Sequence, residues 1–252
     1  MARTGDYDDK SRVARDPETP PYYLEELSTI DQEEKRLDVS DILIQVAQNP
    51  NTPAKALHRL AGYENVRVQL GVANNPNVSE ETLWELGHND LFQLRYAVAR
   101  NPNCSSSLLM SLSEDPTDAV IEMALRHPNM PIDRLQSFAD SPAISNEWKG
   151  SIAGNPSSTP EVLMSIWKKT KFSLVLLKLI ANPNCPLSIL VRESRSLIDR
   201  HREAAQDRLE KIFFKDPSAR EEAHRIETAL DLGIDPDEEV DRSGDFLKDI
   251  DI

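Results

Sequence analysis

A leucine stands at one fixed phase through most of this chain, at Leu24, Leu57, Leu83, Leu109, Leu135, Leu163 and Leu190. Each lies eight residues after the residue that precedes a turn proline. The turns are Asp16-Pro17, Asn49-Pro50, Asn75-Pro76, Asn101-Pro102, His127-Pro128, Asn155-Pro156 and Asn182-Pro183, spaced 33, 26, 26, 26, 28 and 27 residues apart. Self-similarity at such a period marks stacked supersecondary units. Leucine makes up roughly a tenth of ordinary sequence, so its presence in every slot excludes coincidence.

Other slots agree. Three residues before the turn residue stand Val13, Val46, Val72, Val98, Ala124, Ile152 and Leu179. Seven before it, from the second turn onward, stand Ile42, Val68, Leu94, Val120, Trp148 and Val175. Eleven after it come Leu27, Leu60, Leu86, Leu112, Phe138 and Ile166, until Glu193 ends the pattern in the seventh unit. Apolar residues four apart before the turn and three apart after it lie on helix faces, not on a strand. Each unit therefore reads as two short helices. Asn-Pro ends the first, because proline drives the preceding residue out of the α region and Asn suits turns. Pro53, Ser79, Ser105, Pro131 and Pro186, four residues after the turn residue, open the second as a first-turn proline or a capping serine. In the Asn155 unit this signal shifts by one, to Thr159-Pro160. The slot twelve after the turn residue is small (Ser28, Ala61, Gly87, Ser113, Ala139, Ser194), which permits close helix packing; Trp167 is its bulky exception. One helix pair cannot bury its own apolar face, so the units must stack into a solenoid.

These residues resemble the variant leucine-rich repeat proteins, whose pattern runs Val-Arg-x-x-Val-Ala-x-Asn-Pro-x-x-Pro followed by Leu-x-x-Leu. The match is carried by Val13-Ala14-Arg15-Asp16-Pro17, Val46-Ala47-Gln48-Asn49-Pro50-Asn51-Thr52-Pro53, Val72-Ala73-Asn74-Asn75-Pro76 and Leu94-Arg95-Tyr96-Ala97-Val98-Ala99-Arg100-Asn101-Pro102. It covers residues 11 to 195. The resemblance implies an all-α, right-handed superhelical solenoid of about seven two-helix repeats, in which α helices alternate with short α or 3₁₀ helices. Some members of that family carry a Cys-rich iron–sulfur segment ahead of the repeats. Residues 1 to 40 contain no cysteine, so no cofactor is expected.

The predicted organisation is a disordered N-terminus over 1–10, a helical-repeat solenoid over 11–198 with an acidic insertion near 28–41, capping helices over 199–232 and an acidic disordered tail over 233–252. In the cap, Leu209, Ile212 and Phe213 line one helix face, Ala223, Ile226, Ala229 and Leu230 line another, and Gly233 stops the second helix. Charge is uneven. Residues 1–40 carry 11 acids and 6 bases, 41–198 carry 15 and 14, and 199–252 carry 17 and 9, within a net charge of -14. Near-neutral repeats with acidic ends argue against nucleic acid as a partner. No apolar stretch reads as a signal peptide or a membrane span, which predicts a cytoplasmic protein without membrane insertion.

Catalysis needs converging groups, and none converge in the sequence. The histidines His58, His88, His127, His201 and His224 show no metal-ligand spacing, and the eight glycines form no phosphate-binding loop. Cys104 and Cys185 occupy one repeat slot and read as small fillers. The second asparagine of each turn (Asn51, Asn77, Asn103, Asn129, Asn184) is too regular to mark one ligand and reads as architecture. Function is therefore expected where the symmetry breaks. One break is the basic cluster Trp167, Lys168, Lys169 and Lys171, with Lys178, Arg192 and Arg195 following. A second is the stripe nine after the turn residue, Trp84, Met110, Met164 and Val191, interrupted by Gln136. The third is the end of the chain, where Phe246, Leu247 and Ile250 form a helical spacing within acidic sequence. The expected function is a non-catalytic protein-interaction module or scaffold without metal. The competing readings are a nucleic-acid-binding or DNA-repair helical-repeat protein and an acidic mimic of nucleic acid.

Overall fold

The computed structural model describes residues 7–30 and 37–237. These residues form helices and no strand, divided between two compact units, Met1–Met130 and Pro131–Ile252. The first unit holds α1 (Tyr7–Arg15), α2 (Pro21–Leu27), α3 (Leu37–Gln48), α4 (Ala54–Ala61), α5 (Val66–Asn74), α6 (Glu80–Gly87), α7 (Phe92–Arg100), α8 (Ser106–Leu112) and α9 (Asp118–Arg126). The second holds α10 (Ile132–Asp140), α11 (Asn146–Ala153), α12 (Pro160–Lys168), α13 (Ser173–Ala181), α14 (Leu187–Ser194), α15 (Asp199–Lys215) and α16 (Ser218–Asp231). In the first unit α1, α3, α5, α7 and α9 stack in series, and α2, α4, α6 and α8 form a thinner second layer. In the second, α10 packs on α12 and α11 on α13, while α15 and α16 close on α13 and α14.

The ladder leucines are the core. All seven are completely buried. Burying a leucine side chain contributes about 1.5–3 kcal/mol, so the repeated slot is also the main stabilising one. Both residues of the Val-Ala step before each turn are buried as well, from Val46 and Ala47 to Leu179 and Ile180. In the first repeat Ala14 is buried while Val13 is only half-buried. The turn residues Asn75, Asn101, His127 and Asn182 cap their helices in extended conformation, as the following proline demands.

Two details differ from expectation, the start of the first helix and the placing of the cap prolines. Helix α1 begins at Tyr7, inside the stretch expected to lack structure, with Asp8 and Asp9 in its first turn and Arg12 and Arg15 in its last, each favourable to the helix dipole. The second helix of each pair is a short α helix of seven to nine residues, the first of the two forms expected for it. Pro53, Pro131 and Pro186 occupy the N-cap itself, one residue before the first turn, where the backbone is extended. Ser79, Ser105 and Thr159 cap by side chain as expected, and Pro160 opens α12 at its first residue.

Successive turns are tied by a second ladder, of amides. Asn49 Nδ2 donates to the Ala14 and Asp16 carbonyls, Asn75 to those of Ala47 and Asn49, Asn101 to those of Ala73 and Asn75, and Asn182 to those of Ala153 and Asn155. The Oδ1 of each accepts the amide N–H two residues on. The second asparagine of each turn also reaches back: Asn77 to Pro50, Asn103 to Pro76 and Asn184 to Pro156 and Ser158. Buried polar groups are costly unless paired, and here the side chains satisfy the turns of the preceding repeat. His127 reproduces the amide with an imidazole, Nε2 donating to Asn101 O at 2.9 Å and Nδ1 accepting from the Asn129 N–H at 3.0 Å.

One buried ion pair adds to this frame. The Arg95 guanidinium on α7 meets Asp115 through Nε–Oδ2 at 2.6 Å and Nη2–Oδ1 at 3.0 Å, a forked geometry. Burial alone would raise the Asp115 carboxyl, but the Arg95 fork and the Thr117 amide outweigh it and hold it below the usual carboxylate range. The pair locks the loop after α8 onto α7.

Candidate functional site

With the repeated asparagines turned onto the backbone, the candidate residues are those that stand outside the regular turn slots. In the first unit these are Trp84 on α6 and Met110 on α8, equivalent slots on adjacent helices, 43% and 38% exposed. His88 lies against Trp84, ring centres 4.9 Å apart, and its Nδ1 is 2.8 Å from Trp84 O. The stripe does not persist in the second unit. Gln136 bonds Asp140 and Ser165, Met164 is half-buried, and Val191 is buried in a cluster with Ala205, Leu209, Ala223 and Ile226 of α15 and α16.

The second unit carries its own break. Trp167, near the end of α12, fills a slot that holds a small residue elsewhere, and Glu193 of α14 fills one that holds an apolar residue. The two substitutions answer each other: Trp167 Nε1 donates to Glu193 Oε1 at 2.9 Å. The other carboxylate oxygen is 3.6 Å from Nδ1 of His201 on α15, whose Nε2 is 2.7 Å from Ser173 Oγ at the start of α13. Glu193 is 9% exposed and His201 1%. A carboxylate buried in an apolar slot thus gains an indole donor, while the imidazole packed 3.6 Å from its other oxygen brings α15 against the last repeat.

This line of Ser173, His201 and Glu193 has the connectivity of a nucleophilic triad but not its accessibility. General-base work requires the imidazole to reach a substrate proton, and His201 is sealed in the core. Among the described residues no three His, Cys, Asp or Glu side chains gather as a metal site would require. Both cysteines are free thiols whose pKa burial pushes up to about 12, far from the thiolate that redox or metal chemistry uses.

Outside these contacts lies a charged surface. The Arg192 guanidinium sits 5.2 Å from the Trp167 ring centre, a cation–π placement. Its Nη2 donates to Asp235 Oδ1 at 2.5 Å and Asp237 Oδ2 at 2.9 Å, while Arg195 Nη2 meets Asp231 Oδ1 at 2.5 Å. Burial alone would raise the Asp235 carboxyl; the Asp237 amide, Arg192 and Lys168 together pull it below the usual range. Lys168, Lys169 and Lys171 are all exposed, yet Lys169 Nζ donates to Ala139 O at 2.8 Å and so serves the fold. Arg192 and Arg195 were visible as basic residues near the lysines. Their carboxylate partners were not, because Asp231, Asp235 and Asp237 lie 36 to 45 residues further along; the only local signal is the acidic run after Gly233. Phe246, Leu247 and Ile250 lie outside the described residues.

A solved structure described as a leucine-rich repeat variant with a novel repetitive structural motif is similar to this chain, with a TM-score of 0.50, 16% sequence identity, and coverage of 82% of this chain and 88% of the other. At that identity the likeness is one of fold, and it establishes the leucine-rich repeat variant architecture for this chain. No protein-family model matches the sequence, and no curated protein matches it.

Proposed function

We propose that this chain is a non-catalytic protein-interaction module, a helical-repeat scaffold that binds its partner through the places where the repeat fails. The observation that carries this reading is the amide ladder. The polar residues most often repeated donate inward to the preceding turn, so recognition falls to the Trp84–Met110 strip of the first unit and the Trp167, Lys168, Lys171 and Arg192 patch of the second. Exposed Met and Trp side chains adapt to an apolar partner surface. The nucleic-acid reading loses support because Lys169 is engaged by a carbonyl oxygen and Arg192 and Arg195 by carboxylates, which offsets the positive charge of this cluster. No helix among the described residues is long and apolar enough to cross a membrane. The unpaired thiols accord with a reducing cytoplasm.

The test is affinity capture with the full-length chain at moderate salt, partners being compared by quantitative mass spectrometry across baits of equal helicity. A partner held by the parent should persist on an Asn77→Ala/Asn103→Ala bait, which alters only regular turns. It should be lost on Trp84→Ala/Met110→Ala or on Lys168→Glu/Lys171→Glu. Loss on the turn bait with retention on both of the others would overturn the proposal.

A further inference from the structure

The acidic segment after α16 folds back over the Trp167–Arg192 surface, and its contact there is chemically incomplete. Arg192 reaches both Asp235 and Asp237 through Nη2 alone, while its Nε is buried and unpaired. A guanidinium presents its donors as a rigid fork and meets a carboxylate best side-on, with parallel bonds from Nε and one Nη. Asp235 does not offer that approach. Its Oδ1 accepts from Arg192 and also from the Asp237 N–H, so the same oxygen closes the segment's own turn. The remaining tie, Arg195 to Asp231, joins side chains 47% and 63% exposed, the class of ion pair that holds least firmly. The connection is short: Gly233, at φ 75°, reverses the chain directly after the helix. Arg192 is meanwhile pre-positioned by Trp167, which Glu193 holds in turn.

We infer that the Trp167–Arg192–Arg195 surface is a recognition site for an acidic peptide segment carrying carboxylates two residues apart, and that Asp235 and Asp237 of the segment after α16, with Asp231 at the end of that helix, occupy it as a tethered, imperfect ligand which the partner displaces. This rests on the interaction-module reading and names the partner chemistry of its second-unit patch. An incoming aspartate or glutamate takes Nε and Nη2 of Arg192 side-on, and a second carboxylate takes Arg195 or Lys168. The tethered segment lowers the apparent affinity in proportion to the time it keeps the site closed.

The experiment uses the full chain and, as probe, a short fluorescein-labelled peptide of alternating aspartate and serine, read by anisotropy. Asp235→Asn/Asp237→Asn keeps the acceptor of the Asp237 turn while removing the charges that hold Arg192. This variant should bind the peptide about tenfold more tightly than the parent, the gain expected when a segment closed roughly nine-tenths of the time is released. A charge-matched control, Glu221→Gln/Glu222→Gln on the exposed face of α16, should gain much less. Adding Arg192→Lys to the open variant should abolish most of the gain although the charge is kept, because lysine lacks the fork. If the double variant loses helicity, Asp237→Asn alone provides the same comparison at smaller amplitude.

Equal affinity of parent and open variant would overturn the inference, as would binding indifferent to Arg192→Lys. Tighter binding of single-stranded DNA than of the peptide would instead mark the patch as a phosphate-backbone surface and overturn it too. Capture of a partner through Trp84 and Met110, with no effect at Arg192, would leave the interaction module standing while this inference falls.

Discussion

At the scale of single residues, the repeat shows what an asparagine amide does by what happens when another group replaces it. His127 holds both hydrogen bonds of the ladder only as a neutral ring with its proton on Nε2, since Nδ1 must accept the Asn129 N–H. Burial pushes its pKa below the ordinary value, and the Asn101 carbonyl only partly offsets this. The sign follows from linkage. A histidine that resists protonation when folded but protonates near pH 6.5 when unfolded binds more protons in the unfolded state, so stability falls as pH drops below about 6.5. His127→Asn restores the amide and removes that term. The parent should lose stability relative to this variant between about pH 7.5 and about pH 5.5, measured by paired chemical denaturation; parallel pH profiles would sink the account. The structural role of the Asn slot was legible from its regularity, and His127 was legible as its replacement. The sequence marks Arg95 only as part of the repeat pattern, because its partner Asp115 stands in a loop that carries no repeat signal.

Among the elements, helix identity followed from apolar spacing, while helix ends followed only where a side chain caps. Ser79 and Ser105 accept the expected backbone N–H, whereas Pro53, Pro131 and Pro186 sit one residue earlier than a first-turn proline would. Proline satisfies either position, since neither donates a helical hydrogen bond, so sequence could not choose between them. Close approach between helices was equally hidden. Gly71 lies mid-helix in α5, where glycine usually costs about 0.5–1 kcal/mol relative to alanine. A Cβ there would stand 2.8 Å from Ala47 Cβ on α3, nearer than two such carbons can come. Neither atom belongs to a flexible side chain, so the helices must move apart. Overpacking of this kind costs about 1–3 kcal/mol and should exceed the gain in helix propensity. Gly71→Ala is therefore expected to lower the midpoint of denaturation, and a variant more stable than the parent would show that the two helices can separate without loss.

The whole molecule was the most legible level for architecture and the least legible for recognition, for one physical reason. A solenoid repeats its stabilising contacts, so period, turn and buried leucine are written seven times, whereas a binding surface is written once and across distant residues. The Trp167–Glu193 exchange shows this: both deviations stood out in their slots, but only the structure shows that they compensate each other and that His201 of α15 packs against them. Repetition also governs how damage spreads, since each repeat touches only its neighbours and stability is close to a sum of local and interface terms. Leu109 on α8 is fully buried, and its truncation to alanine should cost about 2–5 kcal/mol. That loss should not be shared equally. Amide hydrogen exchange in Leu109→Ala should accelerate most in α7, α8 and α9 of the first unit, which pack around the substituted side chain's repeat, and least in α13 and α14 of the second. Equal acceleration in all of these helices would mean that the chain unfolds as one cooperative body. In that case the ladder would stabilise a single global core, and the nearest-neighbour description of this fold would have to be abandoned.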